Sequence, residues 1–508
     1  MQKNRIPVIV GVGQITDRAG RFEACLSPLQ LLCAAVQRTF DDAGVSPDRI
    51  KTRIDTVVVT SGFSDYLKNP PEALSRRLGL QAKRLYASGR GGTSPQAAVN
   101  RLSADIAATR SQCALLGGME AQAAMAMARK AGITPDWDES SDREPELLFP
   151  YRKGDGGCAT EHAHGIALPA NVYPMFENAL RHHYGRSVEA HQKKIAALFS
   201  NFTRVAEQNP YAWFRQYRSP EEIMTVTPDN RLVGFPYTKR MNSMLGVNQA
   251  AAVLLMSEAM ADEIGIDSKR RVYLHGCADA ADHWFVLNRV NYHSSPAIRL
   301  CGQTALQMAG CTMADIAHLD LYSCFPSAVQ IARDMLGIDE NDPRPLTVTG
   351  GLPYFGGPGN NYVMHSIASM VDLLRKEPGV YGLVTGNSFY LSKHSVGIYS
   401  TAPLREAWHW TPPEQLQARI DAMDKPEFAP YPEGRAAVET YTVLFGRDGH
   451  PYKGLIIGRT MDADGPPKRF AAVTPNVPDL WHQMITRDWI GTTGRVRREG
   501  ELNIFRPS

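Results

Sequence analysis

The stretch "ASGRGGTSPQAAVNRLSADIAATRSQCALLGGME", residues 87–120, decides the reading of this chain. A glycine-rich turn leads into an apolar-periodic helix from about Pro95, and the small-residue strand "CALLGG" ends in Gly-Gly-Met-Glu. Upstream, a β-branched run over residues 54–60 reads as a strand running into "SGFSD". Before it, Ser27 caps a helix with Pro28 at its first position, Leu29, Leu32, Val36 and Phe40 along one face, and Gly44 at its end. A strand at residues 8–12 precedes that helix. Alternating strand and helix predict an α/β layered unit.

From about residue 250 to 400 the plan recurs with matching punctuation. "IAHLDLYSCFPSAVQIARDML" echoes "IDTVVVTSGFSD", "GGLPYFGGPGNNYVMHSIASMVDLL" echoes the glycine turn and helix at Gly91, and "YGLVTGNS" echoes "CALLGGME". The expectation is a duplicated α/β unit, with coincidence among ordinary βα turns as the alternative. Residues 125–245, rich in Pro, Tyr, His and charge, separate the halves, and an insertion of that length suits substrate binding better than packing. After Ser400, prolines mark a connector. Short alternating segments follow, "VETYTVLF", "KGLIIGRTM", "RFAAVTP" and "GTTGRVRREGELNIF", with turns at "GRDGHP" and "DADGPP", and these predict a small closing β-barrel or sandwich. The expected domains are thus residues 1–124, 125–245, 246–405 and 415–508.

A chain of 508 residues exceeds what one hydrophobic core serves. The formal charge of +3 arises from 55 basic and 52 acidic residues that are interspersed, giving no electrostatic case for a nucleic-acid or membrane partner. No apolar run approaches a membrane span and the start lacks a signal-peptide pattern, so a cytoplasmic location is expected. The eight cysteines are scattered without a CxxC pair, which argues for reduced thiols and no structural zinc. His162, His164, His182 and His183 form doublets without carboxylate-rich spacing, so no metal site is expected. Gly11 and Gly13 follow the first strand, but Thr16 replaces the third glycine of a dinucleotide fingerprint, which argues against a dehydrogenase.

The duplicated plan with its insertion resembles the thiolase superfamily over about residues 5–400. "NSMLGVNQAAAVLLMSEA" looks like the thiolase segment returning from the loop domain, "GGLPYFGGPGNN" like the Gly-His-Pro turn, and "LLGGMEA" like the strand closing the first half. "LYSCFPSAV", "GGPGNNY", "YLSKHSVGIYST" and the extra C-terminal segment bring the chain near the sterol-carrier-protein-type thiolases, within them the thiolase-like proteins of type 1. The resemblance implies a five-layer αβαβα thiolase fold with an inserted loop domain and an added C-terminal barrel. It also implies coenzyme A or acyl-CoA as ligand, with no covalently bound cofactor, and acetyl-CoA acetyltransferase as the common label of such chains.

Thiolase chemistry uses a thiolate nucleophile, a base, a second cysteine and two oxyanion holes. Registered on "GGME", the nucleophile position falls at Gly92. The activating histidine of the family turn is replaced by Gly357, beside Gly356, and the second cysteine by Asn387. Where thiolases carry an oxyanion-hole Asn or His, this chain has Tyr322, Ser323, Cys324 and Phe325. Cys324, Tyr322, His394 and Asn387 are therefore the catalytic candidates, set against a buried-hydrophobe reading for Cys324 and a structural one for His394. Lys239 and Arg240 are candidates for the phosphates of coenzyme A, or else a solvated pair. Asn360 and Asn361, in the glycine turn, are ligand candidates or helix caps.

Three readings remain open from the sequence: an acyltransferase of lipid or fatty-acid metabolism with unorthodox residues, a non-catalytic acyl-CoA or lipid-binding module, and a partner subunit of an acyl-transfer assembly. Thiolases usually dimerise, and the added barrel either extends or blocks that interface, so a homodimer, a partner acyl-transfer subunit and a monomer all stay open from the sequence. The barrel is similar in outline to an oligonucleotide-binding fold but lacks a basic-aromatic face, so nucleic acid is not expected.

Overall fold

The computed structural model describes residues 2–63, 67–137, 143–149, 157–461 and 466–508. Parts of the insertion read at 134–157 and most of the turn read at 462–467 lie outside the described residues. One sheet contains ten strands: β1 (Pro7–Thr16), β2 (Thr56–Val59), β3 (Arg84–Ala87), β4 (Cys113–Ala121) and β5 (Glu146–Leu147), then β8 (Asn248–Ser257), β9 (Val272–Ala281), β10 (Ile316–Asp320), β11 (Tyr381–Ser388) and β12 (Lys393–Ser400). The insertion contributes β6 (Leu232–Gly234) and β7 (Tyr237–Thr238) to a second sheet.

Duplication is written in the strand order. Outward from the centre, β1-β8-β4-β2 on one side is matched by β9-β12-β11-β10 on the other. Pairing senses repeat as well: antiparallel for β1/β8 and β9/β12, antiparallel for β8/β4 and β12/β11, parallel for β4/β2 and β11/β10. Only Val8–Tyr273 and Ile9–Val272 join β1 to β9. The sequence expectation opened the second half at residue 246, yet β8 lies between β1 and β4 and completes the first repeat. Its partners are over a hundred residues away, which local pattern does not carry.

Helix Pro28–Ala43 begins with a Ser27/Gln30 capping box, ends at a left-handed Gly44, and buries Leu29, Leu32, Val36 and Phe40 against the outer face of β1 and β8. Gly11 and Gly13 serve this contact. A Cβ on Gly13 would lie 2.1 Å from the Ala35 carbonyl oxygen, and one on Gly11 2.3 Å from that of Thr39. Both glycines are therefore where the helix presses onto the strand, a packing role rather than a phosphate turn. Helices Ser94–Ala107 and Tyr362–Lys376 touch each other and strands of both halves, forming a buried middle layer, and Pro296–Ala309 covers β9 and β12 on the far side. The order is helix, strands of the first repeat, helices, strands of the second repeat, helix.

The C-terminal strands are β13 (Gly434–Phe445), β14 (Pro451–Thr460), β15 (Arg469–Val473), β16 (Thr493–Glu499) and β17 (Leu502–Pro507). They run β14-β15-β17-β16-β13, and β13 pairs with β14 to close a five-strand barrel. Closure removes exposed sheet edges. β6 joins β13 through Gly234 and Leu444. The barrel is docked by buried polar groups: Asn178 Nδ2 donates to the Tyr441 and Phe235 carbonyls at 2.9 and 3.1 Å, and the fully buried Arg469 pairs with Glu439 at 2.6 Å. Arg469 also donates to the carbonyls of Leu287 and Arg289 at 3.0 and 2.5 Å.

Candidate functional site

The glycine turn at Gly91 is tied to the second half by side chains. Gly91 N donates to Asn360 Oδ1 at 3.0 Å, Asn360 Nδ2 donates to the Ser61 carbonyl at 2.6 Å, and Thr93 N donates to Ser388 Oγ at 2.8 Å. Asn361 Nδ2 donates to the Gly118 carbonyl at 2.8 Å. Neither asparagine caps the helix that follows: Asn361 is the N-cap residue and makes no side-chain cap bond. They are cross-ties between the two repeats, and the oxygen and nitrogen of Asn360 are both engaged by the protein.

Gly92 sits inside this turn with its side-chain direction blocked. A Cβ built on it would lie 2.3 Å from the Tyr322 hydroxyl oxygen, 2.6 Å from the Asn387 carbonyl oxygen and 2.8 Å from Tyr322 Cζ. Any side chain here requires Tyr322 or the β11 backbone to move. Gly357 differs, since its Cβ would be 3.4 Å from the Met244 carbonyl oxygen, an ordinary contact. Gly356 is held at φ +116, and a Cβ there would meet Gln249 Oε1 at 2.5 Å.

The structure brings Tyr322, Cys324 and Asn387 together, with Tyr173 as a fourth member that the sequence did not indicate. Asn387 Nδ2 donates to the Tyr173 hydroxyl at 2.9 Å and faces Cys324 Sγ at 3.9 Å, and Tyr173 stacks on Phe325 with centroids 4.5 Å apart. Burial pushes the Cys324 thiol up to about 12, against the opposing pull of its hydrogen bonds with Tyr173 and the Phe325 backbone. Among the described residues no histidine hydrogen-bonds this sulfur. At neutral pH it is a thiol without a base. Burial likewise holds the Tyr322 hydroxyl protonated, well above its ordinary value.

His394 belongs to a different buried cluster. Its Nε2 lies 3.0 Å from the Leu391 carbonyl oxygen, 3.4 Å from Ser295 Oγ and 3.4 Å from Asp282 Oδ2. Burial alone would raise Asp282, but Arg289 first, then His394 and Ser295, outweigh it and hold the carboxyl down to about 2. Ser295 also caps helix Pro296–Ala309. This is an anchoring network, and the imidazole edge that it fixes borders the cavity described next. Lys239 is exposed, and Arg240 donates to the Glu222 carbonyl at 2.5 Å. Neither lines that cavity.

A cavity of about 630 Å³ opens beside the turn, bordered by Gly89, Arg90, Thr93 and Ser94, by the end of β9 with Trp284, by Lys393 and His394 of β12, and by the connector helix Pro413–Asp421 with Trp410. Its size is that of a small-molecule site. Among its polar residues the sequence reading reached His394 and, beside Gly92, Thr93 and Ser94. Trp284, Trp410 and Arg90 gave no motif, because three distant segments supply them.

A family model for the thiolase-like protein type 1 additional C-terminal domain matches residues 415–501. The crystal structure of a monomeric SCP2-thiolase like protein type 1 from Mycobacterium smegmatis is 35% identical, with a TM-score of 0.86 over 100% of both chains. The 3-ketoacyl-CoA thiolase of Cronobacter sakazakii is 31% identical over 159 residues, 28% of this chain and 34% of that protein, so the chain matches about a third of the length of such curated relatives. The acetyl-CoA acetyltransferase from Syntrophomonas wolfei shares the fold, with a TM-score of 0.54 at 15% identity over 78% of this chain and 100% of that one.

Proposed function

The chain belongs to the SCP2-thiolase-like proteins of type 1, and on that premise we propose that it handles coenzyme A thioesters of lipid metabolism by binding them without Claisen chemistry. The observation that carries this reading is the Tyr322 hydroxyl in the space that a side chain on Gly92 would need. The thiolase resemblance puts the nucleophile there, the activating histidine at Gly357 and the second cysteine at Asn387, and all three are replaced. Cys324 is the one thiol in the cluster, and burial keeps it protonated at physiological pH, so an alternative nucleophile has no local support.

Coenzyme A thioesters enter this reading through the relatives, whose names place them as a 3-ketoacyl-CoA thiolase and an acetyl-CoA acetyltransferase. The 35%-identical protein is described as monomeric, and we carry that expectation to this chain in place of a thiolase dimer. Calorimetric titration with coenzyme A, acetyl-CoA and a longer acyl-CoA tests the proposal. Saturable binding of at least one supports it, and no binding of any removes the ligand class.

A further inference from the structure

We propose that the 630 Å³ cavity beside the Gly91 turn is a binding site for a neutral, ring-bearing alcohol, its hydroxyl donated to Asp279 and its apolar body held against the carbon surfaces of Trp284, Trp410, Phe149 and Leu148. This goes beyond the coenzyme A reading, because such an alcohol carries neither thioester nor phosphate.

A chain of hydrogen bonds ends on that carboxylate. The Tyr399 hydroxyl donates to Gln96 Oε1 at 2.9 Å, Gln96 Nε2 to Asn100 Oδ1 at 2.9 Å, and Asn100 Nδ2 to Asp279 Oδ2 at 2.9 Å, while Ser395 Oγ donates to Asp279 Oδ1 at 2.6 Å. Tyr399, Gln96, Asn100 and Ser395 are buried, whereas Asp279, on β9, keeps accessible surface and borders the cavity. Each of its oxygens accepts one of these bonds and retains a second lone pair, so the cavity presents an acceptor that a ligand hydroxyl can complete. Burial raises the Asp279 pKa against the pull of Ser395 and Asn100, and a further donor from the ligand offsets that cost.

The rest of the lining selects against net charge. Among the described residues its cations are Arg90, Arg101 and Lys393 and its carboxylates Asp279, Glu414 and Asp421, so the two signs balance. Arg101 pairs with Asp105 at 3.3 Å, Lys393 Nζ stands 5.5 Å from the centre of the Phe389 ring, and Asp421 accepts from Gln417 Nε2 at 2.9 Å. Arg90 and Glu414 are exposed. An ion of either sign therefore meets as many like charges as opposite ones, and the aromatic walls suit a ring system. Helix Pro413–Asp421 closes the outer wall, fixed where Ala281 N donates to Gln417 Oε1 at 2.9 Å and Gln417 Nε2 donates to the Ala281 carbonyl at 3.1 Å. The cavity thus lies where both repeats, the insertion and the connector meet, the kind of joint at which small-molecule sites form.

The probe is 2-naphthalenemethanol, titrated calorimetrically into the full chain beside its methyl ether, 2-naphthoate and 2-naphthylmethylammonium. The alcohol is expected to saturate one site per chain, with the ether, which cannot donate, about tenfold weaker and both ions weaker than the alcohol. Asp279→Asn is expected to bring the alcohol down to the affinity of the ether and to leave the ether unchanged. Ala418→Trp, at an exposed position of the wall helix, fills the cavity from outside the Asp279 network and is expected to abolish binding of both. Equal affinity for alcohol and ether, tighter binding of either ion, no saturation by the alcohol, or undiminished binding to Ala418→Trp overturns the proposal. The comparison of alcohol with ether in the unmodified chain decides it whether or not Asp279→Asn folds. Coenzyme A titrated into Ala418→Trp separates the two readings: retained coenzyme A binding with loss of the alcohol assigns the cavity to the alcohol, and loss of both returns the cavity to coenzyme A and overturns the alcohol site. Absence of coenzyme A binding in the unmodified chain bears only on the earlier proposal.

Discussion

The Tyr322 hydroxyl and Gly92 share one volume: a Cβ on the glycine would come within 2.3 Å of the tyrosine oxygen, with the Asn387 carbonyl closing the other side at 2.6 Å. Glycine at this position follows from the packing of a residue 230 positions later in the chain. The second repeat thus fills the space beside the turn.

The contrast with Gly357 gives a stability prediction. Gly92→Ala overpacks a closed site and is expected to cost about 1–3 kcal/mol, whereas Gly357→Ala, whose Cβ finds ordinary contacts, stays within about 0.5 kcal/mol. Urea denaturation of the two variants checks this. Equal effects would mean that the space at Gly92 is not occupied as described.

Cys324 is expected to resist alkylation at pH 8 compared with the partly exposed Cys25 and Cys158, because burial pushes its thiol up to about 12. The same shift sets a sign for stability. The unfolded thiol ionises near 9 and the folded one near 12, so this contribution is present below pH 9 and lost as pH rises from 9 towards 12. Peptide mapping after iodoacetamide treatment reads the first effect, and fast labelling of Cys324 would contradict it.

On the acid side, His365 is the marker. It is fully buried, its Nδ1 lies 2.9 Å from Gln14 Oε1, and burial pushes its pKa down from 6.5 to about 3. The unfolded chain binds this proton first, so the contribution is present above pH 6.5 and lost as pH falls from there towards 3. His365→Leu is expected to flatten the decline of stability across that window, whatever its effect at neutral pH. An unchanged slope in urea titrations at pH 4–7 would assign the decline to other groups.

The duplicated unit was legible because each repeat carries the same strand, turn and helix punctuation, and the mirrored strand order realises it. The barrel segments were legible too; "GTTGRVRREGELNIF" folds back at Gly500, held at φ 66, into β16 and β17. What local pattern left out is long-range. β8 reads as an apolar strand wherever it pairs, β6 and β7 leave the insertion to join the barrel sheet, and Asn360 reads as a cap until Gly91 and Ser61 are seen against it. Of the catalytic candidates, Tyr322, Cys324 and Asn387 converge, while His394 is drawn into the Asp282 network. Tyr173, the hub between Asn387 and Phe325, lies on helix Pro169–His183 of the insertion and carries no motif.

Barrel docking rests on Arg469. Arg469→Met removes the fully buried one of the two arginines that hold Glu439, leaving Arg459, and takes the donor from the Leu287 and Arg289 carbonyls. The expected cost is about 3 kcal/mol, as for truncation of one side of a buried pair. Arg459→Met, whose side chain is 37% exposed, is expected to cost under about 1 kcal/mol. Urea midpoints at constant slope compare them, and similar losses would count against the docking role.

The central claim is tested most directly by following free thiol release while the chain is supplied with acetyl-CoA, and with acetoacetyl-CoA plus coenzyme A, under conditions where calorimetry reports binding. The account predicts occupancy with no thiol released above the protein-free blank. Release that scales with protein and disappears in Cys324→Ala would contradict it and establish an acyltransferase that works through Cys324.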